Sequence, residues 1–367
     1  MNYHIALSRS IDFATIAQEA ATEQGPRHAM GVLCDKLDAV VHHPNHKSIG
    51  LSDKLWSKVA GTPQSWSLAR RLANTLTSED VIFCTGEDIG IPISACCGNR
   101  ADRPKIAMFI HNLDRPRGFL SAKLFDLGHR VDLFITNAPA QARFLQQRLG
   151  IPTSKIFLLT EHIDTQFFVP GKPNCQTAKP VIASVGLENR DYRTIAQATQ
   201  DLPVDVRISG FSRDAKVLAR AFPKVMPANM SRKFYPWPEL RQLYWNADLV
   251  IVSLVENKFC AGLTAILEAI ACAKPLIITH TQGLSGYLQQ IAPVCVVDPG
   301  DVMGMQQAIL RVLSNLDHEQ ELARQRRVKL LQQHTMEHYI DTLAAQLMSI
   351  APTSFFPKGQ ELLRDMT

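Results

Sequence analysis

The stretch KFCAGLTAILEAIACAKPLIIT, residues 258–279, combines a helix pattern with residues that can bind a phosphate group. The helix should end at its Lys-Pro pair, because the residue before a proline resists the α conformation. Gly262 stands where a loop enters this helix, and without a Cβ atom it lets a ligand approach the backbone. We expect the amides of Leu263 and Thr264 to be free at this helix N-terminus, which suits a diphosphate.

Glu268 places a carboxylate inside this otherwise apolar helix. Thr264 and Glu268 are four residues apart and share one helix face, with Cβ atoms roughly 5–6 Å apart. A carboxylate one turn below a diphosphate can accept hydrogen bonds from both ribose hydroxyls of a nucleotide. The alternative is a partly exposed glutamate on an ordinary amphipathic helix.

Short β-branched runs alternate with amphipathic segments along the chain, which predicts parallel sheets covered by helices. The strand-like runs are YHIALS, AVVHH, DVIFCT, KIAMFIH, VDLFIT, KIFLLT, VIASVG, VDVRISG, DLVIVSL, PLIIT and PVCVVD. The alternation pauses at TQFFVPGKPNCQTAKP, which is rich in turn residues. We therefore predict two Rossmann-like domains facing a ligand-binding cleft, at residues 1–167 and 181–335, with a linker at 168–180. After Asp301 the pattern is helical to about residue 350.

The composition fits a globular protein of two domains: 367 residues, 46% hydrophobic and 20% charged. A net charge of +5 with scattered basic residues argues against a nucleic-acid partner. The eight cysteines lack a C-x-x-C spacing, which favours reduced thiols in the cytoplasm. The first residues do not resemble a signal peptide, and no apolar run reaches the length of a membrane span. Any membrane association would be peripheral, at the inner face.

Five segments together resemble the family 4 glycosyltransferases. They are HIDTQFFVP, IASVGLENRDYRTIAQA, LRQLYWNADLVIV, GLTAILEAIACAKPLI and VDPGDVMGMQQAI, within residues 131–350. The resemblance implies the GT-B fold, with C-terminal helices at residues 336–367 crossing back to the first domain. It also implies an enzyme that transfers a sugar, with retention of configuration, from a nucleotide-sugar donor to a saccharide, lipid or small-molecule acceptor.

The resemblance assigns roles residue by residue. Glu268 falls on the ribose-binding glutamate, and Gly262, Leu263 and Thr264 fall on the diphosphate-binding amides. Arg190 falls on the lysine of a basic pair, and its guanidinium can clamp phosphate. His111 matches a histidine that faces the donor sugar, although a histidine after a strand can also simply cap a loop. The predicted catalytic residues are thus His111 and Arg190, and the predicted donor site also includes Cys260 and Gly210.

Three positions depart from the family pattern. Cys260 replaces a glutamate, Leu187 replaces the arginine of the basic pair, and His162 replaces a glycine. These changes put recognition of the donor sugar in question. Two alternatives therefore stand beside the transferase: a homologue that binds a sugar nucleotide or a partner without turnover, and a nucleotide-sugar epimerase.

The sequence offers three candidate acceptor contacts. Arg27 and His28 lie in EQGPRHAMG, near the expected start of the first helix. Glu87 and Asp88 follow a strand and can contact an acceptor or cap a helix, whereas adjacent carboxylates rarely converge on one bond as in a glycosidase. The stretch at residues 51–76 combines two tryptophans with lysines and arginines. This combination suits a lipid interface, or else tryptophans buried in the core with the basic residues exposed to solvent.

The sequence contains no Asp-x-Asp and no spacing typical of a metal site. We therefore expect protein groups alone to stabilise the leaving diphosphate, with no cofactor and no metal required. Arg190 and the helix amides are the expected groups. In the retaining reaction that the family implies, the departing phosphate takes the acceptor proton, and no enzyme nucleophile is needed.

Overall fold

The protein is described by a computed structural model that covers residues 2–45, 48–174, 177–211, 218, 220–288 and 294–352. The chain divides into two compact units. The first comprises Met1–Ile11, Met30–Leu159 and Ile340–Thr367, and the second comprises Asp12–Ala29 and Thr160–Tyr339. No helix among the described residues is long and apolar enough to span a bilayer.

Each unit is built on a parallel six-stranded sheet. In the first unit the strands are β1 (Asn2–Ala6), β2 (Val40–His42), β3 (Asp80–Cys84), β4 (Lys105–Phe109), β5 (Leu133–Thr136) and β6 (Ile156–Leu158). In the second they are β7 (Val181–Val185), β8 (Asp205–Ser209), β9 (Met230–Arg232), β10 (Leu249–Val252), β11 (Leu276–Thr279) and β12 (Cys295–Val297). The strand orders are β2-β1-β3-β4-β5-β6 and β12-β11-β10-β7-β8-β9.

Helices follow most strands, as parallel pairing requires. In chain order they are α1 (Phe13–Ala21), α2 (Ala29–Leu37), α3 (Leu51–Trp56), α4 (Pro63–Ala73), α5 (Glu87–Cys97), α6 (Pro116–Leu124), α7 (Leu127–Arg130), α8 (Pro139–Leu149), α9 (Tyr192–Thr199), α10 (Trp237–Asn246), α11 (Leu263–Ala271), α12 (Ser285–Leu288), α13 (Val302–Ser314), α14 (Leu316–Gln333) and α15 (Met336–Ser349). The central strands β3, β5, β7, β10 and β11 are buried along their whole length, which explains their continuous apolar sequences.

All eleven predicted strand segments form strands, and the helical stretch after Asp301 is confirmed. The sequence did not predict β9, whose residues Met-Ser-Arg lie at a sheet edge with two of the three exposed. Such a strand has too few apolar residues to show a period. Of the predicted linker, residues 175 and 176 lie outside the described residues, as do residues 353–367 of the predicted C-terminal segment.

The predicted first domain, residues 1–167, included residues 12–29. In the structure these residues belong to the second compact unit. Arg27 explains part of this difference, because its side chain binds Asp164 through Nε and Nη2. Gly25 lies against the Trp237 ring, where an added Cβ would be 3.2 Å from Cδ1. These contacts join residues that are far apart along the chain. A boundary drawn from local pattern does not detect them.

Candidate functional site

The predicted donor residues collect at one edge of the second sheet. Gly186 and Arg190 follow β7, and Gly262 follows the loop after β10. These two strands are neighbours, yet the connections from them run to opposite sides of the sheet, to β8 and to β11. In open α/β sheets, ligands bind outside the carboxyl ends of the strands at such a switch point.

Gly262 starts α11 in a left-handed conformation, with φ of 84°. A Cβ atom on this residue would lie 2.8 Å from Cγ1 of Val252, so a side chain is excluded by space as well as by conformation. The first helical bond runs from the Ile266 amide to the Gly262 carbonyl at 3.0 Å. The amide of Thr264 precedes that bond and therefore lies at the positive end of the helix. The first turn contains no acidic residue to neutralise this end.

One detail of the predicted amide site was wrong. The amide of Leu263 donates to the carbonyl oxygen of Cys260 at 3.3 Å, in the turn that leads into the helix. The Leu263 side chain is buried, whereas Thr264 is exposed. Thr264 rather than Leu263 thus presents its amide at the open end of α11.

Arg190 is fixed beside this helix end. Its Nε donates to the carbonyl of Val185 at 2.9 Å, and its Nη1 donates to the carbonyl of Glu188 at 2.9 Å. Two glycines make room for the guanidinium: a Cβ on Gly186 would collide with Nη2, and one on Gly262 would lie 3.4 Å from Nη1. Only 4% of the residue is exposed. A cation held this way needs no reorganisation to face a charged ligand.

Arg190 lies outside the helix that follows it. Helix α9 begins two residues later, at Tyr192, and Asp191 caps it by accepting from the Thr194 amide at 3.3 Å. The Asp191 carboxylate approaches Arg193, with 3.8 Å between Oδ1 and Nε. The Asp191 side chain thus caps α9.

Glu268 is buried, with 5% of its surface exposed, so the alternative of a partly exposed glutamate is wrong. The Tyr244 hydroxyl donates to its Oε2 at 2.6 Å. Burial raises the pKa of Glu268 to about 7, although the Tyr244 hydrogen bond and the Arg190 charge act in the opposite direction. Burial thus disfavours the ionised form of this carboxyl group.

Sequence reasoning missed the roles of Tyr244 and Gly186. Tyr244 lies in the segment LRQLYWNADLVIV, which carries part of the family resemblance, so a signal existed. Gly186 follows a strand and has φ of 101°, a conformation that a side chain would strain. Its role beside Arg190 became visible only with the position of that guanidinium.

Cys260 and Gly210 lie at the same sheet edge but have structural partners. The Cys260 thiol is buried and donates to the carbonyl of Gly283 at 3.3 Å. Burial, with a smaller effect of the Glu161 charge, raises the pKa of this thiol to about 12. The Gly210 carbonyl accepts from Nη2 of Arg232 at 2.7 Å, and a Cβ there would lie 2.7 Å from the ring of Phe222. Packing therefore accounts for this glycine.

His111, Glu87 and Asp88 form a second polar group, at the carboxyl edge of the sheet in the first unit. Glu87 accepts from the amides of His111 at 3.0 Å and Asn112 at 2.9 Å, and so holds the loop after β4. The His111 Nε2 lies 3.2 Å from the carbonyl of Thr85. Since a carbonyl only accepts, this nitrogen carries a proton.

Asp88 is exposed beside this loop and accepts from the Ser8 hydroxyl at 2.7 Å. Ser8 follows β1, and Asp88 lies in the first turn of α5 after β3. These neighbouring strands bring the two polar side chains to one edge. The edge can therefore offer hydroxyl and carboxylate groups to a polyhydroxylated ligand.

Arg27 and His28, the predicted acceptor contacts, have partners within the second unit. They precede the second helix, α2, not the first, and they belong to the second unit. The Arg27 guanidinium pairs with Asp164 at 2.6 Å and with Glu337 at 2.8 Å. The His28 ring packs on Phe13, with centroids 5.2 Å apart. The two Arg27 pairs tie residues 12–29 to the rest of the second unit.

Part of the second unit matches a known protein family. Residues 189–315 match the family described as glycosyl transferases group 1. This region contains Arg190, Gly262 and Glu268. No curated protein matches the sequence significantly.

Solved structures share the fold across the chain. The α,α-trehalose 6-phosphate synthase of Burkholderia multivorans has a TM-score of 0.69 at 14% identity, covering 96% of this chain and 99% of that one. HepE of Anabaena, in complex with UDP and glucose, has a TM-score of 0.69 at 13% identity, covering 95% and 100%. The sucrose-phosphate synthase of Thermosynechococcus elongatus has a TM-score of 0.64 at 14% identity, covering 95% and 100%. The predicted fold class is confirmed.

Proposed function

We propose that this chain, a glycosyltransferase with a group 1 (family 4) domain and the GT-B fold, takes a sugar from a nucleoside diphosphate sugar and transfers it with retention of configuration. One observation carries the proposal. The open N-terminus of α11, the Arg190 guanidinium and the buried Glu268 carboxylate meet at one sheet edge. Each group matches a different part of a nucleoside diphosphate.

The diphosphate would lie at the N-terminus of α11, where the Thr264 amide and the helix dipole favour negative charge. Arg190 supplies a full positive charge beside Gly262, where the lack of a Cβ lets the guanidinium lie close to the backbone at the start of α11. Glu268 would accept the ribose hydroxyls through the oxygen that does not bind Tyr244. HepE, a structure of the same fold, is known with UDP-glucose, which makes UDP-sugars the first donors to test.

In the transfer step, the acceptor hydroxyl attacks the anomeric carbon on the face that the diphosphate leaves. The bond from that carbon to the phosphate oxygen breaks, and the departing phosphate takes the hydroxyl proton. Negative charge grows on the diphosphate as this happens. Arg190 and the helix amides stabilise that charge without moving, since backbone contacts already hold the guanidinium. No enzyme nucleophile takes part.

The acceptor is a saccharide, a lipid or a small molecule with a free hydroxyl. His111 and Asp88 are our candidates for binding the sugar or the acceptor, because both side chains are exposed at the edge of the first sheet. Glu87 acts as a positioning residue, since its carboxylate holds the backbone of the His111 loop.

A second candidate function is sugar-nucleotide binding without turnover. Its support is that Leu187 and Cys260, at positions where the family has charged residues, are both buried and uncharged. Neither can neutralise phosphate or bind a sugar hydroxyl as a carboxylate would. The nucleotide-sugar epimerase alternative has no such support from the described residues.

A panel of UDP- and GDP-sugars tests these alternatives. With the full chain, we expect one donor to release nucleoside diphosphate slowly by hydrolysis, and Glu268→Gln to suppress that release. Tight binding without release would favour the second candidate. Interconversion of the sugar without loss of the nucleotide would indicate an epimerase. If no sugar nucleotide binds measurably by calorimetry, the proposal is wrong.

A further inference from the structure

We propose that a surface on helices α3 and α6 docks the protein onto an anionic lipid bilayer. The surface, here called the α3/α6 face, consists of five exposed apolar side chains and five exposed cations. The apolar residues are Leu51, Leu55, Trp56, Leu120 and Leu124, with exposed fractions from 40% for Trp56 to 86% for Leu51. The cations are Lys54, Lys58, Arg115, Arg117 and Lys123.

The two helices form one continuous surface within the first unit. The Arg117 side chain of α6 donates to the carbonyls of Ser57 at 2.6 Å and Val59 at 2.8 Å, directly after the end of α3. The Ser121 hydroxyl donates to the Val59 carbonyl at 3.0 Å. The rings of Trp56 and Phe125 meet edge to face, with centroids 5.5 Å apart. These contacts hold the end of α3 against α6.

Helical spacing concentrates the leucines. Leu51 and Leu55 are four residues apart on α3, and Leu120 and Leu124 are four residues apart on α6, so each pair shares one helix face. Soluble monomers rarely expose several large aliphatic side chains together without a partner. Trp56 is partly exposed beside Trp66, which is buried and donates from Nε1 to the Ala60 carbonyl. The core role predicted for the tryptophans therefore holds for Trp66, whereas Trp56 reaches the surface.

The positive charge of the α3/α6 face favours an anionic partner. Residues 50–58 and 115–125 contain one acidic residue, Asp53, which is buried and paired with Arg70 at 2.6 Å. At the margins, Asp114 accepts from Gln141 and Asp126 pairs with His129. An anionic bilayer complements apolar side chains ringed by cations, because it supplies both a hydrocarbon boundary and negative charge. A second copy docked by the same face would bring like charges together.

Vesicle binding tests this proposal without any sugar nucleotide, so its outcome is separate from that of the proposed transfer reaction. We expect the full chain to co-sediment with phosphatidylcholine vesicles that contain phosphatidylglycerol, and much less with phosphatidylcholine alone. Salt should weaken the binding, because exposed charges are screened. The Trp56 fluorescence should shift to the blue on binding, and Trp56→Phe should remove that shift.

Matched substitutions distinguish vesicle binding through this face from nonspecific adsorption. The double variant Leu120→Gln/Leu124→Gln should lower vesicle partitioning by about tenfold or more. The control Met303→Gln/Leu310→Gln, on the exposed side of α13, should bind like the wild type. Replacing Lys54, Lys58 and Lys123 by glutamine should lower partitioning about fivefold for each lysine. The same change at Lys172, Lys224 and Lys329 keeps the net charge equal and should have little effect.

Three results would overturn the proposal. The first is a wild-type chain that does not bind anionic vesicles at low salt. The second is equal loss of binding in the α13 control. The third is a concentration-dependent dimer, seen by sedimentation velocity, that Leu120→Gln/Leu124→Gln dissociates, since a second copy would then cover the face. Thermal unfolding of each variant establishes that it is folded before vesicle binding is compared.

Discussion

At the scale of single residues, Glu268 is notable because its carboxylate is buried in an apolar helix with Tyr244 as its hydrogen-bond donor. Burial raises its pKa from 4.5 to about 7. Between these two values the folded protein holds a proton that the unfolded chain has released. Stability therefore falls as the pH rises through this window, and above it the fold bears the full cost of the buried charge.

We predict that Glu268→Gln stabilises the ligand-free protein. A raised pKa of this size corresponds to a destabilisation of the wild type by about 3 kcal/mol at most. The substitution should remove this destabilisation above about pH 7 and should have no such effect below about pH 5. The glutamine oxygen can still accept from Tyr244. Thermal or denaturant unfolding at about pH 5 and about pH 8 measures the effect. The control Glu239→Gln removes an exposed carboxylate and should change stability by less than about 1 kcal/mol.

The same substitution should weaken nucleotide binding by about 1–3 kcal/mol, because an amide is a poorer acceptor of ribose hydroxyls than a carboxylate. In the wild type, binding should likewise weaken as the pH falls below about 7, where Glu268 takes up a proton. Calorimetry with the nucleotide found in the donor panel measures both effects. Unchanged affinity in Glu268→Gln would rule out the ribose contact.

Arg190 has a structural and a proposed catalytic role, which kinetics can separate. Arg190→Ala should lower kcat more than it raises KM for the donor, because the cation acts on charge that develops in the transition state. It should also cost about 1–3 kcal/mol of stability, since the carbonyls of Val185 and Glu188 lose their donor.

Two further variants make this test specific. Arg190→Lys should restore part of kcat, because it returns the charge without the fork geometry of the guanidinium. Arg193→Ala, a nearby arginine with 43% of its side chain exposed, should leave the kinetics unchanged. A kcat for Arg190→Ala within about twofold of the wild type would mean that another cation neutralises the leaving group.

At the scale of elements, the start of α11 depends on Gly262. We predict that Gly262→Ala destabilises the protein by more than about 2 kcal/mol, because a left-handed conformation and a clash with Val252 act together. The shift that relieves the clash should also displace Arg190, and nucleotide binding should fall. Chemical denaturation and calorimetry measure the two effects.

Gly300→Ala is the matched control for this prediction. Gly300 has φ of 75° but open space around its Cα, so alanine there meets only the conformational strain. A cost of about 1 kcal/mol is expected, with no change in nucleotide affinity. Equal costs at both glycines would show that the contact with Val252 does not matter.

At the scale of the whole molecule, the described residues contain no group of three or more His, Cys, Asp or Glu arranged to hold a metal ion. The groups proposed to face the diphosphate are instead an arginine and helix amides. We therefore predict that sugar transfer survives EDTA at full rate. Loss of activity on chelation, restored by Mg²⁺ or Mn²⁺, would contradict the arrangement proposed for the leaving group.

Residues 12–29 are a second feature of the whole chain. Arg27→Ala should cost about 2–4 kcal/mol, because it leaves the buried carboxylate of Asp164 without its guanidinium. Catalysis should change little once the protein is folded, in contrast to the acceptor role that the sequence had suggested. Lys36→Ala removes a more exposed pair with Asp341 and should cost less than about 1 kcal/mol. Denaturant unfolding and steady-state kinetics measure the two effects.

The sequence by itself determined the features that depend on near neighbours. The strands follow from short β-branched runs, and the spacing of Gly262, Thr264 and Glu268 identified the start and one face of α11. These features need only the backbone preferences of a few adjacent residues and the period of a helix or strand. The order of the segments then indicated the fold.

Only the tertiary structure decided which side chains share an environment. Tyr244 reaches Glu268 across 24 residues, and Arg27 reaches Asp164 across 137. The same kind of contact holds the Arg190 guanidinium between Gly186 and Gly262. Burial and partner choice depend on how separate elements pack, and no local pattern encodes that packing. The chemistry of a residue can thus be proposed from its type and spacing, but its charge state and its freedom to move follow from the folded surroundings.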